Sequence, residues 1–146
     1  MRNALILGML ISTGAIANEC QVVITSNDQM QYSTKMINLP KSCTELAITL
    51  KHVGKLPRLA MGHNLVVVKK SDLDAVAADA VSAGSHNGYL KPNDERVLAH
   101  TALLGGGEES TVLLDAKKID PSADYVFFCS FPGHRSIMQG ALNLIP

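Results

Sequence analysis

Eight short segments rich in branched and aromatic residues recur along the chain: QVVITS (21–26), QYSTKMINL (31–39), ELAITLKHV (45–53), HNLVVVKK (63–70), RVLAHTALL (96–104), STVLLDA (110–116), DYVFFCSF (124–131) and MQGALNLI (138–145). Turn-forming clusters separate them, among them Ser26-Asn27-Asp28, Lys91-Pro92-Asn93-Asp94 and Gly105-Gly106-Gly107. Strands this short at this spacing predict an all-β fold, an antiparallel sandwich or barrel of about eight strands rather than βαβ units. One segment departs from the pattern. In SDLDAVAADAVSAG (71–84), Leu73, Val76, Ala77, Ala80 and Val81 fall at helical spacing, Ser71-x-x-Asp74 resembles a capping box, and Gly84 marks a stop. That predicts a single inserted helix near 72–83, its small aliphatic stripe covering one side of the sandwich.

The first 17 residues are of another kind. Arg2 is followed by an uncharged run from Asn3 to Ala17 that closes on Ala15-Ile16-Ala17, the small-x-small form of a signal-peptidase site. The run falls short of the ~20 residues that span a bilayer, so it reads as a signal peptide (1–17) cleaved after Ala17 rather than an anchor. A lipid anchor would need a cysteine directly after small residues at the cut, whereas Cys20 follows Asn18 and Glu19. Residues 18–146 suffice for one domain of ordinary size and not for two. Their net charge is about −1, because the signal takes away only Arg2 from a chain with 13 cationic and 13 anionic residues. That balance argues against nucleic acid or an anionic membrane as partner.

Three cysteines in an exported chain invite pairing, since an oxidising compartment joins two and leaves one to be explained. Cys20, near the mature N-terminus, and Cys43, after Pro40-Lys41-Ser42, lie in polar surroundings and are the natural pair. Cys129 lies in the apolar run YVFFCSF, where a buried free thiol acting as a small hydrophobe is the ordinary reading.

Its neighbours decide between that reading and a chemical one. Phe131-Pro132-Gly133 follows, then His134 and Met138. A strand that ends at Cys129 and turns through Pro-Gly folds both side chains back toward the thiol. Thiolate and thioether favour copper and imidazole accepts it; two His and one Cys in a trigonal set, with a Met held far off, mark a blue-copper electron-transfer site. His63, in Gly62-His63-Asn64 at the head of a strand, is the best candidate for the second imidazole. Taken singly, a His at a strand head is usually a satisfied polar residue and a Met is core filler. Cys, His and Met at this spacing, in a small exported β domain with one unpaired thiol, point to copper jointly.

With these residues the chain resembles the azurin family of bacterial periplasmic blue-copper proteins. The likeness covers the mature chain, from Glu19-Cys20 and Asn27-Asp28-Gln29-Met30-Gln31, through Met61-Gly62-His63-Asn64, Tyr89-Leu90-Lys91-Pro92 and Arg96-Val97, to Phe127-Phe128-Cys129 and Phe131-Pro132-Gly133-His134. The Cys-x4-His-x3-Met spacing and the Gly-His-Asn loop distinguish azurins from plastocyanin-like proteins, whose loop is shorter. The resemblance implies a Greek-key, cupredoxin-like sandwich with a helical flap, located in the periplasm and holding one copper per chain. The equatorial ligands would be His63, Cys129 and His134, with Met138 as one axial contact and the Gly62 carbonyl as the other. Asn64 and the backbone around Phe131 would hold the thiolate, and Cys20 and Cys43 match the family disulfide. An apolar patch around His134, of Met30, Met61, Phe131, Pro132 and Gly133, would dock briefly with redox proteins such as a c-type cytochrome or a periplasmic reductase. Met30 reads equally well as ordinary core.

Two positions depart from the family. Leu65 stands where many azurins carry a buried tryptophan, a change an aliphatic core tolerates with repacking. Arg135 puts a cation beside the docking patch, where a small residue is commoner. Of the other histidines, His52 and His100 align with family histidines outside the copper shell, the first near the site, and His86 reads as a solvated loop residue. An electron carrier that turns over no substrate is the leading reading. A periplasmic copper-binding or copper-delivery protein would share the ligands but expose them more openly. An enzyme would use Cys129 and His134 as nucleophile and base, yet Met138 has no role in acyl transfer and the motif fixes no acidic orienter. Structural zinc favours a closed Cys/His shell and has little use for a thioether.

Overall fold

In β3 (Glu45–His52), Leu46, Ile48, Leu50 and His52 are buried while the residues between them are not. That period of two gives the strand one face for a core and one for solvent. A computed structural model describes residues 19–146; the signal peptide read at 1–17 lies outside the described residues. β3 is the centre of a three-stranded sheet, flanked by β1 (Gln21–Ser26) and β6 (Glu109–Asp115). Facing it is a five-stranded sheet ordered β2 (Met36–Pro40), β8 (Gln139–Ile145), β7 (Tyr125–Phe128), β4 (Val66–Lys69) and β5 (Val97–His100). Ile24, Leu39, Leu46, Ile48, Leu50, Val67, Leu114 and Phe127 fill the space between.

The all-β sandwich of eight strands is thus present, with one correction to its direction of pairing. β1 pairs with β3 in parallel, Val22 opposite Ile48, and β2 pairs with β8 in parallel, Ile37 opposite Leu142. The cause is the route of the chain: after β1 it crosses to the other sheet to make β2, and it returns for β3 running the way β1 ran. The remaining pairings are antiparallel.

In β4, Val66, Val67 and Val68 are all fully buried. An unbroken apolar run needs both faces of its sheet covered, and the inserted helix supplies the second cover. α2 (Leu73–Ala83) sets Val76 against Val66, Val68, Leu90 and Phe128, with Leu73 and Ala77 packed alongside and Ala80 also buried. Val81, expected in that stripe, is instead 55 % exposed. The capping box is not formed either, because no side chain caps the N-terminus of α2 and a 3-10 turn, Lys70–Asp72, leads into it. The Asp74 carboxylate is drawn sideways to the Arg135 guanidinium, and Asp79 pairs with Arg96, which Asp94 also holds. The helix is tied down laterally rather than at its end.

Cys20 and Cys43 form the disulfide, joining the start of β1 to the turn between β2 and β3. In the chain-entropy picture, closing a loop of this length stabilises by roughly 3 kcal/mol. The double variant Cys20→Ala/Cys43→Ala is therefore expected to unfold at a markedly lower denaturant concentration, by about that free energy in a urea titration, with the metal chemistry of the other end of the sandwich retained.

Candidate metal centre

His63, Cys129, His134 and Met138 are buried together where β4 begins and β7 ends. His63 lies just before β4, locked by a two-way backbone pairing: its N–H donates to the Leu104 carbonyl at 3.0 Å and its carbonyl accepts from Leu104 at 2.8 Å. Cys129 follows β7 directly, and its N–H donates to the Met138 carbonyl at 3.0 Å. Between them the chain makes a tight loop in which Met138 N–H returns to the His134 carbonyl at 2.8 Å and His134 N–H to the Phe131 carbonyl at 3.1 Å. The Pro132-Gly133 turn thus folds His134 and Met138 back toward the thiol, as the spacing predicts.

The donor atoms converge. Cys129 Sγ stands 3.9 Å from His63 Nδ1 and 3.7 Å from His134 Nδ1, and the three ligating atoms lie within 4.8 Å of one another. The Gly62 carbonyl is 3.8 Å from the sulfur. Gly62 has to be glycine here, since a Cβ would lie 2.4 Å from the Arg58 carbonyl oxygen at the start of the short helix α1 (Arg58–Met61) and press on Phe131 and Leu103. Met138 is fully buried in the same cluster as Cys129. The clustered donors are one soft sulfur and two imidazoles, with the Gly62 carbonyl close to the sulfur, the buried Met138 in the same core cluster and no carboxylate in the group. That set fits copper and leaves zinc without its usual closed shell.

The protonation states suit a metal. Burial, chiefly, lowers the His63 pKa to about 4, with the neighbouring His52 and His134 adding to the fall, and burial lowers His134 as well. Both rings are therefore neutral near pH 7 and can offer a lone pair. For His63 the nitrogen is assigned: Nε2 sits 2.7 Å from the Asn27 carbonyl, so Nε2–H donates there and Nδ1 faces Cys129. Asn27 is itself held by a turn in which its Oδ1 accepts from Gln29 N–H at 2.9 Å. Burial pushes the Cys129 thiol up to about 11, against which the backbone N–H groups of Asn64 and Phe131 favour the thiolate. A cation in the pocket would tip that balance fully, because a coordinating thiol loses its proton.

The family sequence profile of copper-binding proteins, plastocyanin/azurin family, matches residues 18–145. The chain belongs to that family. It is 56 % identical over 125 residues to the azurin of Alcaligenes faecalis, spanning 86 % of this chain and 98 % of that one. It is 44 % identical over 135 residues to the azurin of Pseudomonas aeruginosa, spanning 92 % and 91 %. Among solved structures, an azurin of Methylomonas sp. strain J superposes with a TM-score of 0.84 at 40 % identity, covering 87 % of this chain and 98 % of that one. The cupredoxin sandwich and the copper cofactor follow from that membership.

Of the remaining residues singled out in the sequence, Asn64 is fully buried and bridges the two ligand loops: its Oδ1 accepts from Ser130 N–H at 2.9 Å, and its Nδ2 donates to Ser130 Oγ at 2.8 Å. Phe131 packs its ring against His134, ring centres 4.5 Å apart and the planes tilted by 32°. In the apolar patch, Pro132 and Gly133 are exposed, whereas Met30, Met61 and Phe131 are half-buried. Met30 also packs against the core. Leu65 is wholly buried between the sheets. Arg135 is not a free cation, because Asp74 neutralises it.

His52 stacks on His63 with ring centres 4.5 Å apart, yet both of its nitrogens are engaged, Nδ1 accepting from Gly54 N–H at 3.0 Å and Nε2 donating to the Met61 carbonyl at 2.9 Å. His86 and His100 are exposed. Sequence reasoning missed Asn27, Ser130 and Tyr32 as supports of the site. It also missed Leu59 (75 % exposed) and Ile137 (46 % exposed) as apolar surface in the chain segments that carry Met61 and His134. Val81 adds to that surface, lining a groove of about 250 Å³ with Phe131, Pro132, Gly133 and Arg135.

Proposed function

We propose that the chain is an exported carrier of single electrons, moving them between periplasmic redox proteins and turning over no substrate. The observation that carries this reading is a buried Cys129–His63–His134 triad whose one near-surface member, His134, adjoins the exposed Pro132 and Gly133. Copper, when bound, supplies a one-electron couple. The chain's own work is to hold and shelter it. His63, Cys129 and His134 would hold it, with Met138 and the Gly62 carbonyl as weaker contacts. Paired backbone on both ligand loops and the Asn64 bridge keep the donors in place, so the electron passes with little rearrangement. The apolar wall keeps water from the sulfur, and it leaves His134 as the edge nearest a partner.

The run from Asn3 to Ala17 supports export as a signal peptide cleaved after Ala17, with 18–146 as the single mature domain. No helix among the described residues is long and apolar enough to cross a membrane. The apolar surface of Met30, Met61, Phe131, Pro132 and Gly133 suits brief docking with a c-type cytochrome or a periplasmic reductase, since a small, weakly charged interface releases fast. Titrating the metal-free protein with cupric ion tests the reading: an intense visible band should grow to one equivalent, vanish with a one-electron reductant and return with an oxidant. A fully loaded but colourless protein would overturn it.

The Met138 contact has its own test. Met138→Leu is expected to keep the colour and raise the reduction potential, because losing a weak donor destabilises the cupric state more than the cuprous one. Voltammetry reads this. Loss of copper binding in Met138→Leu would instead make Met138 a primary ligand.

A further inference from the structure

A phenol in the middle of this core needs a reason. Tyr32 lies among Ile24, Leu65, Phe127, Cys129 and Met138, its ring 5.5 Å from that of Phe127. If packing were its whole role, phenylalanine would serve without the cost of burying a hydroxyl. The hydroxyl is used: it donates to the Asn64 carbonyl. Asn64 is the residue after His63, and its side chain holds Ser130, the residue after Cys129. The same side chain reaches the Gly88 carbonyl at 3.3 Å. A chain of hydrogen bonds therefore runs from Tyr32 through Asn64 to Ser130 and grips both ligand loops from behind the metal position.

We infer that Tyr32 is a positioning and tuning residue of this centre: its buried hydroxyl, seated on the Asn64 carbonyl beside Cys129, governs how much electron density the cysteine sulfur keeps. The inference rests on the copper reading above. The phenolic proton is donated to the Asn64 carbonyl, within the same buried cluster as the Cys129 sulfur. A carbonyl outcompetes a neutral thiol for that proton, but a thiolate is a charged acceptor and draws it more strongly. Each share of the proton given to sulfur withdraws density from it, which favours the cuprous state over the cupric one; hydrogen bonding around the cysteine sulfur is an established lever on such potentials.

The test is Tyr32→Phe, which deletes one oxygen and keeps the ring. With a net hydrogen bond at stake, the oxidised-to-reduced ratio at a fixed ambient potential should rise about threefold, with the visible band shifted in energy and copper stoichiometry unchanged. The metal-free variant should melt below the metal-free wild type, because the Asn64 carbonyl loses its partner. A lowered melting temperature with an unmoved potential and an unmoved band would reduce Tyr32 to a structural brace and overturn the inference. If Tyr32→Phe does not fold, 3-fluorotyrosine placed at position 32 carries the test with the opposite sign: a more acidic phenol donates more strongly and should lower that ratio, whereas a potential equal to wild type would overturn the inference. A wild type that binds cupric ion without colour would remove the copper reading itself, a result distinct from a blue wild type with an indifferent Tyr32.

Discussion

Cys129→Ser is expected to abolish the intense visible band. The colour of such a site comes from charge transfer out of a thiolate bonded directly to the cupric ion, and a serine hydroxyl offers neither the soft sulfur orbital nor a readily ionised proton. The substitution is also small. Sulfur and oxygen differ little in volume, the side chain stays in a pocket closed by Phe127, Met138 and Tyr32, and the Ser side chain can donate to the Gly62 carbonyl that Cys129 Sγ already approaches at 3.8 Å. The fold should therefore survive with its backbone pairings at Cys129 and Met138 intact. Cupric ion should bind more weakly and give a pale spectrum, read by absorption titration beside circular dichroism of the metal-free form. A serine variant that kept the full band would place the chromophore elsewhere and end the assignment of Cys129.

Part of this centre was legible in the chain because its chemistry is local. Cys129, His134 and Met138 lie within ten residues, and Pro132-Gly133 announces the turn that gathers them. His63 came from further off, through a Gly-His-Asn run whose glycine the structure explains by the close approach of the Arg58 carbonyl. The supports were not legible, for a physical reason. Asn27 serves His63 with a backbone carbonyl, which every residue possesses, and Tyr32 reaches Asn64 with its hydroxyl from the segment between β1 and β2, 32 residues away. The parallel pairing of β1 with β3 was hidden in the same way, because alternation fixes which face a residue takes and says nothing of the neighbour's direction. At α2, a local pattern lost to a distant one: Ser71 and Asp74 spell a cap, but Arg135, some sixty residues on, claims the carboxylate.

Met61→Lys is expected to slow electron exchange between two copies of the protein by an order of magnitude or more, while leaving the spectrum and copper affinity nearly unchanged. Met61 ends α1 and is half-buried beside the ligand loops; its carbonyl already accepts from His52, so the backbone there stays put whatever the side chain. A lysine ammonium at that place must be desolvated when an apolar partner closes on Phe131, Pro132 and Gly133, at a cost of several kcal/mol that a small interface does not offset. Lys69→Glu is the control. It changes the charge by two units at the far end of β4, about six residues and roughly 20 Å from His63 along an extended strand, where Asp120 is its charged neighbour, and it should alter the rate little. Arg135→Ala should also matter little at moderate salt, since Asp74 cancels that cation in the wild type and the substitution trades a neutral pair for an exposed carboxylate. NMR line broadening of mixed oxidised and reduced protein measures all three variants. Equal rates for Met61→Lys and Lys69→Glu would mean that the electron does not leave past His134, because a charge at the mouth of its path would then weigh no more than one at the opposite pole of the sandwich.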